Sequence, residues 1–451
     1  MKLKPYPKYK ESGVQWIGKI PESWEINRVK HICSKSAEYG LNEPAEKYVD
    51  EGIRFLRITD ISENNRLIEN GVYLPFKTIN KEYLLNRGDV LIARSGSVGT
   101  SLYYDNKKHG VCSFAGYLVR FVANNSNDSK FLYYFTRSES FFAQIKLYSV
   151  QTTIENFNGQ KYANMQIAVP SFQEQSLITS FLDIKSSEID FLISKDQHLI
   201  DLLKEKRIAL INHVVTKGLN QKAKLKDSGI EWIGETVLGW EEHKIKHFCS
   251  TTKGFAFKSE IFADSGVPVV KATDIKNETI IEGESFIPYE LAKEFQKVKL
   301  HVEDIILSTV GSKPEVKESA VGQFAVVPSK FSNSLLNQNT VRLELDKTNK
   351  IRLSYFTYLL RTDSFRKYLD IHAHGTANQA SLDIWDILEY KFFLPTPSEQ
   401  LQISSYLDKE TSKIDQTIEK IEKKIELMEE YKKSLIHHVV TGKVDVREAT
   451  A

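Results

Sequence analysis

The strongest pattern of apolar and polar positions in the chain occurs twice. Apolar residues fall at Ile414, Ile418, Ile421, Ile425, Met428 and Leu435, in steps of three, four and seven, with Lys and Glu filling the other faces. That is the seam of a coiled coil, not the period-two alternation of a strand. The seam also runs through Ile189, Ile193, Ile200, Leu203 and Leu210, with Asp196 interrupting it. The two stretches share one register. PSFQEQSLITSFLDIKSSEID from Pro170 and PTPSEQLQISSYLDKETSKID from Pro395 align at an offset of 225, without a gap as far as Thr216 and Thr441. Both close in His-Val-Val-Thr, at His213–Thr216 and His438–Thr441. The prolines end a preceding strand, and Ser171 or Thr396 and Ser398 can cap the helix that follows. About 40 helical residues at ~1.5 Å each span roughly 60 Å. Two copies of one seam in one chain are expected to pair as a rigid spacer; the alternative is two independent amphipathic surface helices.

A mixed domain precedes each long helix, and these domains repeat too. Ser12-Gly13-Val14-Gln15-Trp16-Ile17-Gly18 returns as Ser228-Gly229-Ile230-Glu231-Trp232-Ile233-Gly234, and Trp24-Glu25 as Trp240-Glu241. The tryptophans are expected in the core, where an aromatic ring buries much apolar area. A strand-like run, Arg54 to Ile61, matches Val267 to Ile275. Its alternation is expected to bury Phe55 and Ile58, leaving Arg57 or Lys271 and the Thr59-Asp60 or Thr273-Asp274 pair at the strand exit. Gly88 to Gly99 matches Glu303 to Lys313, a buried strand followed by a small, polar, glycine-bearing loop where a backbone can approach a ligand. Short helical patterns follow (Phe131 to Ile145, Leu353 to Leu369), then polar loops, Ser149 to Thr153 and His374 to Ala380. A strand into the proline closes each domain. The expected boundaries are residues 1–170 and 218–395 for the domains, and 171–217 and 396–446 for the helical regions. The frames agree between copies and the loops do not, so the scaffold is repeated and the working surface is not.

Composition narrows the class. A 451-residue chain exceeds the size of one growing core. With 41% apolar and 11% aromatic residues it can build ordinary cores. The 61 basic and 59 acidic side chains nearly cancel, so a basic face has to come from segregating charge in space. Three cysteines, Cys33, Cys112 and Cys249, form no C-x-x-C pair, which suits a reducing compartment without structural disulfides. MKLKPYPKYK has no apolar core of signal-peptide type, and no run approaches the length of a membrane helix. A soluble, cytoplasmic protein with no membrane partner is expected.

The chain lacks the common catalytic signatures. No two glycines are two apart, there is no G-x-x-x-x-G-K-[ST], and no G-x-S-x-G, Pro-Pro or H-E-x-x-H occurs. No Cys/His cluster has zinc spacing, and His213 and His437-His438 end helices, where the dipole suits them. No catalytic or metal-binding residue is expected. The loops instead offer hydrogen-bonding groups. Arg57, Arg94, Lys271, Gln151, Asn378 and Gln379 can read base edges, since Arg and Lys suit guanine and Asn and Gln suit adenine. Ser95, Ser97, Thr152, Ser308, Thr309 and Ser312 can contact phosphates beside backbone amides. Thr59, Gly96, Thr273 and Lys313 belong to the same candidate set. Singly, such a residue is more often a solvated loop position; recurrence at matched places favours the functional reading.

This layout resembles the DNA-specificity subunit of type I restriction–modification systems over essentially the whole chain. The resemblance rests on the two Trp-Ile-Gly…Trp-Glu frames, on Leu91-Ile92-Ala93-Arg94-Ser95-Gly96, and on the Gln- or Asn-bearing loop. It rests above all on the P-x-x-x-E-Q-x-x-I opening of each helix, at Pro170, Gln175 and Ile178 and at Pro395, Gln400 and Ile403. The second copy departs from the first in its glycine loop, Thr309 to Pro314, and the first lacks the Gly-Thr-x-Asn-Gln form of Gly375 to Gln379. The fold class implied is α+β: an internal duplication of two mixed α/β target-recognition domains, each followed by a long helix, the two helices pairing as an antiparallel coiled coil. On such a spacer the domains would read half-sites of double-stranded DNA roughly one helical turn (about 34 Å) apart, and different loops would read different halves. The resemblance further implies that the helical regions, through Glu174, Gln175, Glu399 and Gln400, dock modification subunits, two of them. These bring S-adenosylmethionine and flip out an adenine, and a separate restriction/translocase subunit uses ATP and Mg. This chain itself would hold no cofactor and catalyse nothing. The alternatives are a methylation-only system, a protein-interaction scaffold, or an enzyme with unfamiliar motifs.

Overall fold

The computed structural model describes residues 4–62, 65–149, 157–312, 321–346, 350–376 and 379–449. The long helices run Phe172–Lys217 and Pro397–Val440. The chain forms two compact units, residues 1–197 with 421–451, and residues 198–420. The boundary therefore falls within both long helices: each unit takes one mixed domain, the half of one helix that follows it, and the half of the other that returns.

The duplication extends to strand order. In the first unit Cys33–Tyr39, Leu118–Ala123, Val90–Ala93 and Ser101–Tyr103 form an antiparallel sheet in that order. In the second, Cys249–Lys253, Thr340–Leu345, Ile305–Ser308 and Phe324–Val326 do the same. Beside it lies a three-stranded sheet with one antiparallel and one parallel pairing. Its strands are Val72–Leu74, Ile53–Leu56 and Cys112–Phe114 in one unit, and Phe286–Ile287, Val267–Val270 and Leu335–Leu336 in the other. The continuous apolar runs of the central strands follow from burial on both faces. Val90 and Ile92 point into one apolar cluster, with Trp24, Phe121 and Ile178, while Leu91 and Ala93 point into another, with Leu56 and Phe114. Ile305 and Leu307 are separated from Ile306 in the same way. Trp24 and Trp240 are core residues as expected; Trp16 and Trp232 are half-buried.

A close backbone approach fixes one matched glycine in each unit. A Cβ on Gly40 would stand 2.1 Å from the Phe114 carbonyl oxygen, and one on Gly254 1.9 Å from that of Asn337. Only glycine lets these strands leave the sheet so near a neighbouring main chain.

The seam is a full heptad pattern once its polar members are counted. In each unit the helix halves contribute their most covered residues at positions 189, 193, 196, 200, 203, 207 and 210, and 225 places later at 414, 418, 421, 425, 428, 432 and 435. Three of these positions carry charge, and each charge meets an opposite one on the facing helix. Lys424 reaches Asp196 at 2.8 Å and Lys432 reaches Asp190 at 2.6 Å in the first unit, and Arg207 reaches Asp415 at 3.0 Å in the second. Ionic pairs at seam positions specify register rather than add much stability. The helices also hold their own domains: the hydroxyls of Tyr134 and Tyr358 donate to Asp183 and Asp408, each at 2.7 Å.

Candidate nucleic-acid interface

In the first unit two chain segments far apart in sequence meet at one groove. The strand Ile53–Leu56 stops before Arg57, and Ile58–Asp60 forms a tight turn. Ile58 is therefore a half-buried turn residue, not the buried strand position its alternation suggests. The buried residue is Asp60, at 0% exposure. Its carboxylate accepts from the Arg57 amide at 2.7 Å, from Nε at 3.2 Å and from NH2 at 2.9 Å. The hydrogen bonds to Asp60 raise the Arg57 pKa further, so the guanidinium is a fixed cation. Arg94 follows the buried strand Val90–Ala93. Its amide donates to the Tyr117 carbonyl at 3.0 Å and its carbonyl accepts from the Phe157 amide at 2.8 Å. Its guanidinium lies 5.0 Å from the Tyr39 ring centre and 6.0 Å from that of Tyr117.

Arg57, Thr59, Arg94, Ser95 and Gly96 line a single open cavity of about 970 Å³, together with Tyr39, Asn42, Tyr48 and Tyr117. Glu43 also lines it, paired with Lys47 at 2.6 Å as Arg57 is with Asp60 at 2.9 Å, so the charge that tips the groove towards positive is Arg94. Ser97 is exposed and does not line it. Planar cations beside aromatic faces and an amide can read base edges, grip phosphates and stack on a base. Sequence reasoning missed Tyr39, Asn42 and Tyr117. Their only local signal is a glycine beside each tyrosine, Tyr39-Gly40 and Gly116-Tyr117.

The second unit is built differently at the matched place. Lys271 and Asp274 keep the turn, with the Lys271 amide donating to Asp274 at 2.8 Å, but the Lys271 ammonium lies over the Phe262 ring at 5.1 Å. Thr273 is exposed and donates to Asp274 at 3.3 Å. The expectation that Ser308, Thr309 and Ser312 contact phosphates is corrected: they are 2%, 6% and 8% exposed. Where the first unit has a free glycine turn, the second continues into a strand, Val310–Gly311. That strand pairs with Gln379–Ser381, which pairs in turn with His374–Thr376. The hairpin takes up the loop: the Leu382 amide donates to the Thr309 carbonyl at 2.8 Å. Gln379 is exposed on this hairpin. Gln151, Thr152, Lys313 and Asn378 lie outside the described residues. His374, Asp383 and Asp386 carry no metal-ligand spacing in the sequence, yet the fold brings them together.

The model of the type I restriction modification DNA specificity domain matches residues 21–197 and again 238–427. The chain belongs to that specificity family. Over 97% of both chains it is 26% identical to the type I restriction enzyme MjaVIII specificity subunit of Methanocaldococcus jannaschii. It is 22% identical to the StySPI specificity subunit of Salmonella potsdam, over 86% of this chain and 81% of that one. The fold is also similar to a solved HsdS subunit from Thermoanaerobacter tengcongensis, with a TM-score of 0.50 and 14% identity over 94% of this chain and 98% of that one. A chain from a structure of complex assembly in a type I restriction–modification system gives a TM-score of 0.64 at 13% identity, over 93% and 98%.

In this specificity subunit the two Glu-Gln pairs expected to dock a partner act as internal fasteners, which corrects that expectation for Glu174, Gln175 and Gln400. Gln175 is 1% exposed. Its amide donates to the Asn127 side chain and the Pro170 carbonyl, both at 3.0 Å, and its oxygen accepts from the Asp128 amide at 2.8 Å. Gln400 is 0% exposed and clips the Arg352 amide and the Lys350 and Pro395 carbonyls. Glu399 completes a capping box with Thr396, and Glu174 accepts from the Tyr6 hydroxyl at 2.8 Å. The Glu-Gln pair seats each long helix on its own domain; the buried, satisfied Glu174, Gln175 and Gln400 have nothing to offer a second chain, whereas Glu399 is only half-buried.

Proposed function

We propose that this chain selects the DNA sequence on which a type I restriction–modification complex acts, each unit reading one half of an asymmetric, two-part site while the long helices fix the unread gap. One observation carries this reading: a frame repeated strand for strand presents two unlike surfaces. The first unit offers Arg57 and Arg94 among tyrosines; the second offers a hairpin with Gln379. A symmetric scaffold with two different reading surfaces suits two different half-sites. Among the described residues no helix is long and apolar enough to cross a membrane.

In the same reading the chain is not itself an enzyme. Two modification subunits dock on its helical regions and supply S-adenosylmethionine for adenine methylation, and a restriction/translocase subunit supplies ATP- and Mg-dependent cleavage. The complex works in the cytoplasm. The test is methylation by the complex reconstituted with its own modification subunits on a library of randomised sites. Arg94→Ala should relax or change one half of the modified motif, by about 1–3 kcal/mol per lost bidentate contact, and leave the other half intact. An unchanged motif at full activity would remove the Arg57/Arg94 groove from the reading surface.

A further inference from the structure

Three side chains of the second unit converge beside its hairpin. His374 opens the strand His374–Thr376, Asp383 immediately precedes the short helix Ile384–Glu389, and Asp386 lies within it. One imidazole nitrogen and one oxygen from each carboxylate all lie within 4.8 Å of one another. His374 and Asp383 are exposed and Asp386 is half-buried. Metal–ligand bonds of roughly 2.0–2.2 Å place neighbouring ligands about 3 Å apart, so small side-chain rotations would close this set on one ion. The backbone beneath is firm: the Asp386 carbonyl accepts from the Tyr368 hydroxyl at 2.9 Å, and Ile387 is fully buried.

The internal duplication supplies a control. At the offset of 225, Asp383 corresponds to Asn158, which caps its helix by accepting from the Lys161 amide at 3.0 Å. Asp383 holds the same N-cap position but makes no capping hydrogen bond, although an aspartate there ordinarily does. Its carboxylate instead stands with His374 and Asp386. At the matching helix positions of Asp383 and Asp386 the first unit has Asn158 and Lys161, a pair with no carboxylate and one cation. The carboxylate pair is present in the second copy only, where the capping hydrogen bond is absent.

We infer that His374, Asp383 and Asp386 bind one divalent first-row metal ion, zinc or manganese. One imidazole with two carboxylates suits these ions, whereas calcium and magnesium prefer all-oxygen sites. The ion ties the strand His374–Thr376 to the helix Ile384–Glu389 and so stiffens the hairpin that presents Gln379. Three protein ligands leave a coordination position open to solvent. The metal site stands on its own geometry; its consequence for DNA rests on the function proposed above.

The test uses the full-length chain, stripped with a chelator and titrated with Zn²⁺ and Mn²⁺ by calorimetry. Trp385, 62% exposed between the two aspartates, provides a fluorescence signal. One ion should bind per chain, and both Asp383→Asn and His374→Gln should weaken it by about tenfold or more. Asp383→Asn restores the capping residue of the first copy and keeps the fold, which circular dichroism checks. Absence of one-to-one binding, or binding indifferent to both variants, overturns the inference and leaves DNA selection untouched. Binding that does not alter the half-site preference of the assembled complex sustains the site and overturns only its role in stiffening the hairpin.

Discussion

Replacing Gln175 by leucine separates an internal fastener from a docking residue. Leucine fills a similar volume, so no cavity term arises. It leaves the Asp128 amide without an acceptor and the Pro170 carbonyl without a donor, both at a site where Gln175 is 1% exposed. Each unsatisfied buried group costs about 1–3 kcal/mol. The added apolar burial returns about 1 kcal/mol, and the Asn127 contact, at a more exposed side chain, adds little. The net loss is about 3 kcal/mol, roughly a hundredfold in the folded-to-unfolded ratio. Native-state hydrogen exchange distinguishes the units and reports the Asp128 amide directly: it should lose protection, and the first unit should open more readily than the second. Gln400→Leu should mirror the effect through the Arg352 amide. A variant with wild-type exchange that fails only to capture modification subunits would refute the internal role and restore the docking one.

Two further predictions follow from burial. Gly254→Ala places a Cβ against the Asn337 carbonyl and should cost about 3 kcal/mol in urea unfolding, whereas Gly239→Ala, with open space around it, should stay within about 0.5 kcal/mol. Burial pushes the Cys33 and Cys249 thiols up to about 12 and Cys112 up to about 11. A raised thiol pKa means that the folded state holds its proton more tightly. This contribution to stability is complete below the ordinary thiol pKa, about 8.5, and is lost as pH rises towards those values. At pH 8 the native chain should resist a thiol reagent that labels all three cysteines in urea.

The sequence makes the repeating parts of this molecule legible because they rest on local periodicity. The heptad seams, the two buried central strands and the paired frames each follow from spacing within one segment. Asp196 looked like an interruption because its partner, Lys424, lies on the other helix. The candidate groove of the first unit was less legible because it is assembled across the chain. Arg57 and Arg94 show as polar residues at strand exits, but Tyr39 and Tyr117 join them only through the order of the sheet. Ser308, Thr309 and Ser312 read as a polar loop, but Ser308 ends the central strand and pairs with Thr340, and the strand Val310–Gly311 between the other two finds its partner, Gln379–Ser381, far along the chain. The Glu-Gln pairs were visible as a motif, yet their role was set by carbonyls at Pro170 and Lys350 that no spacing rule identifies.

Site selection by this chain is tested by genome-wide adenine methylation in a host carrying the intact gene, a deletion, and a swap of residues 1–170 for those of a relative with another specificity. If each unit reads one half-site, a split, two-part motif loses its methyl groups on deletion and changes in one half only on the swap. A motif that survives deletion, or both halves changing together on the swap, would contradict that reading.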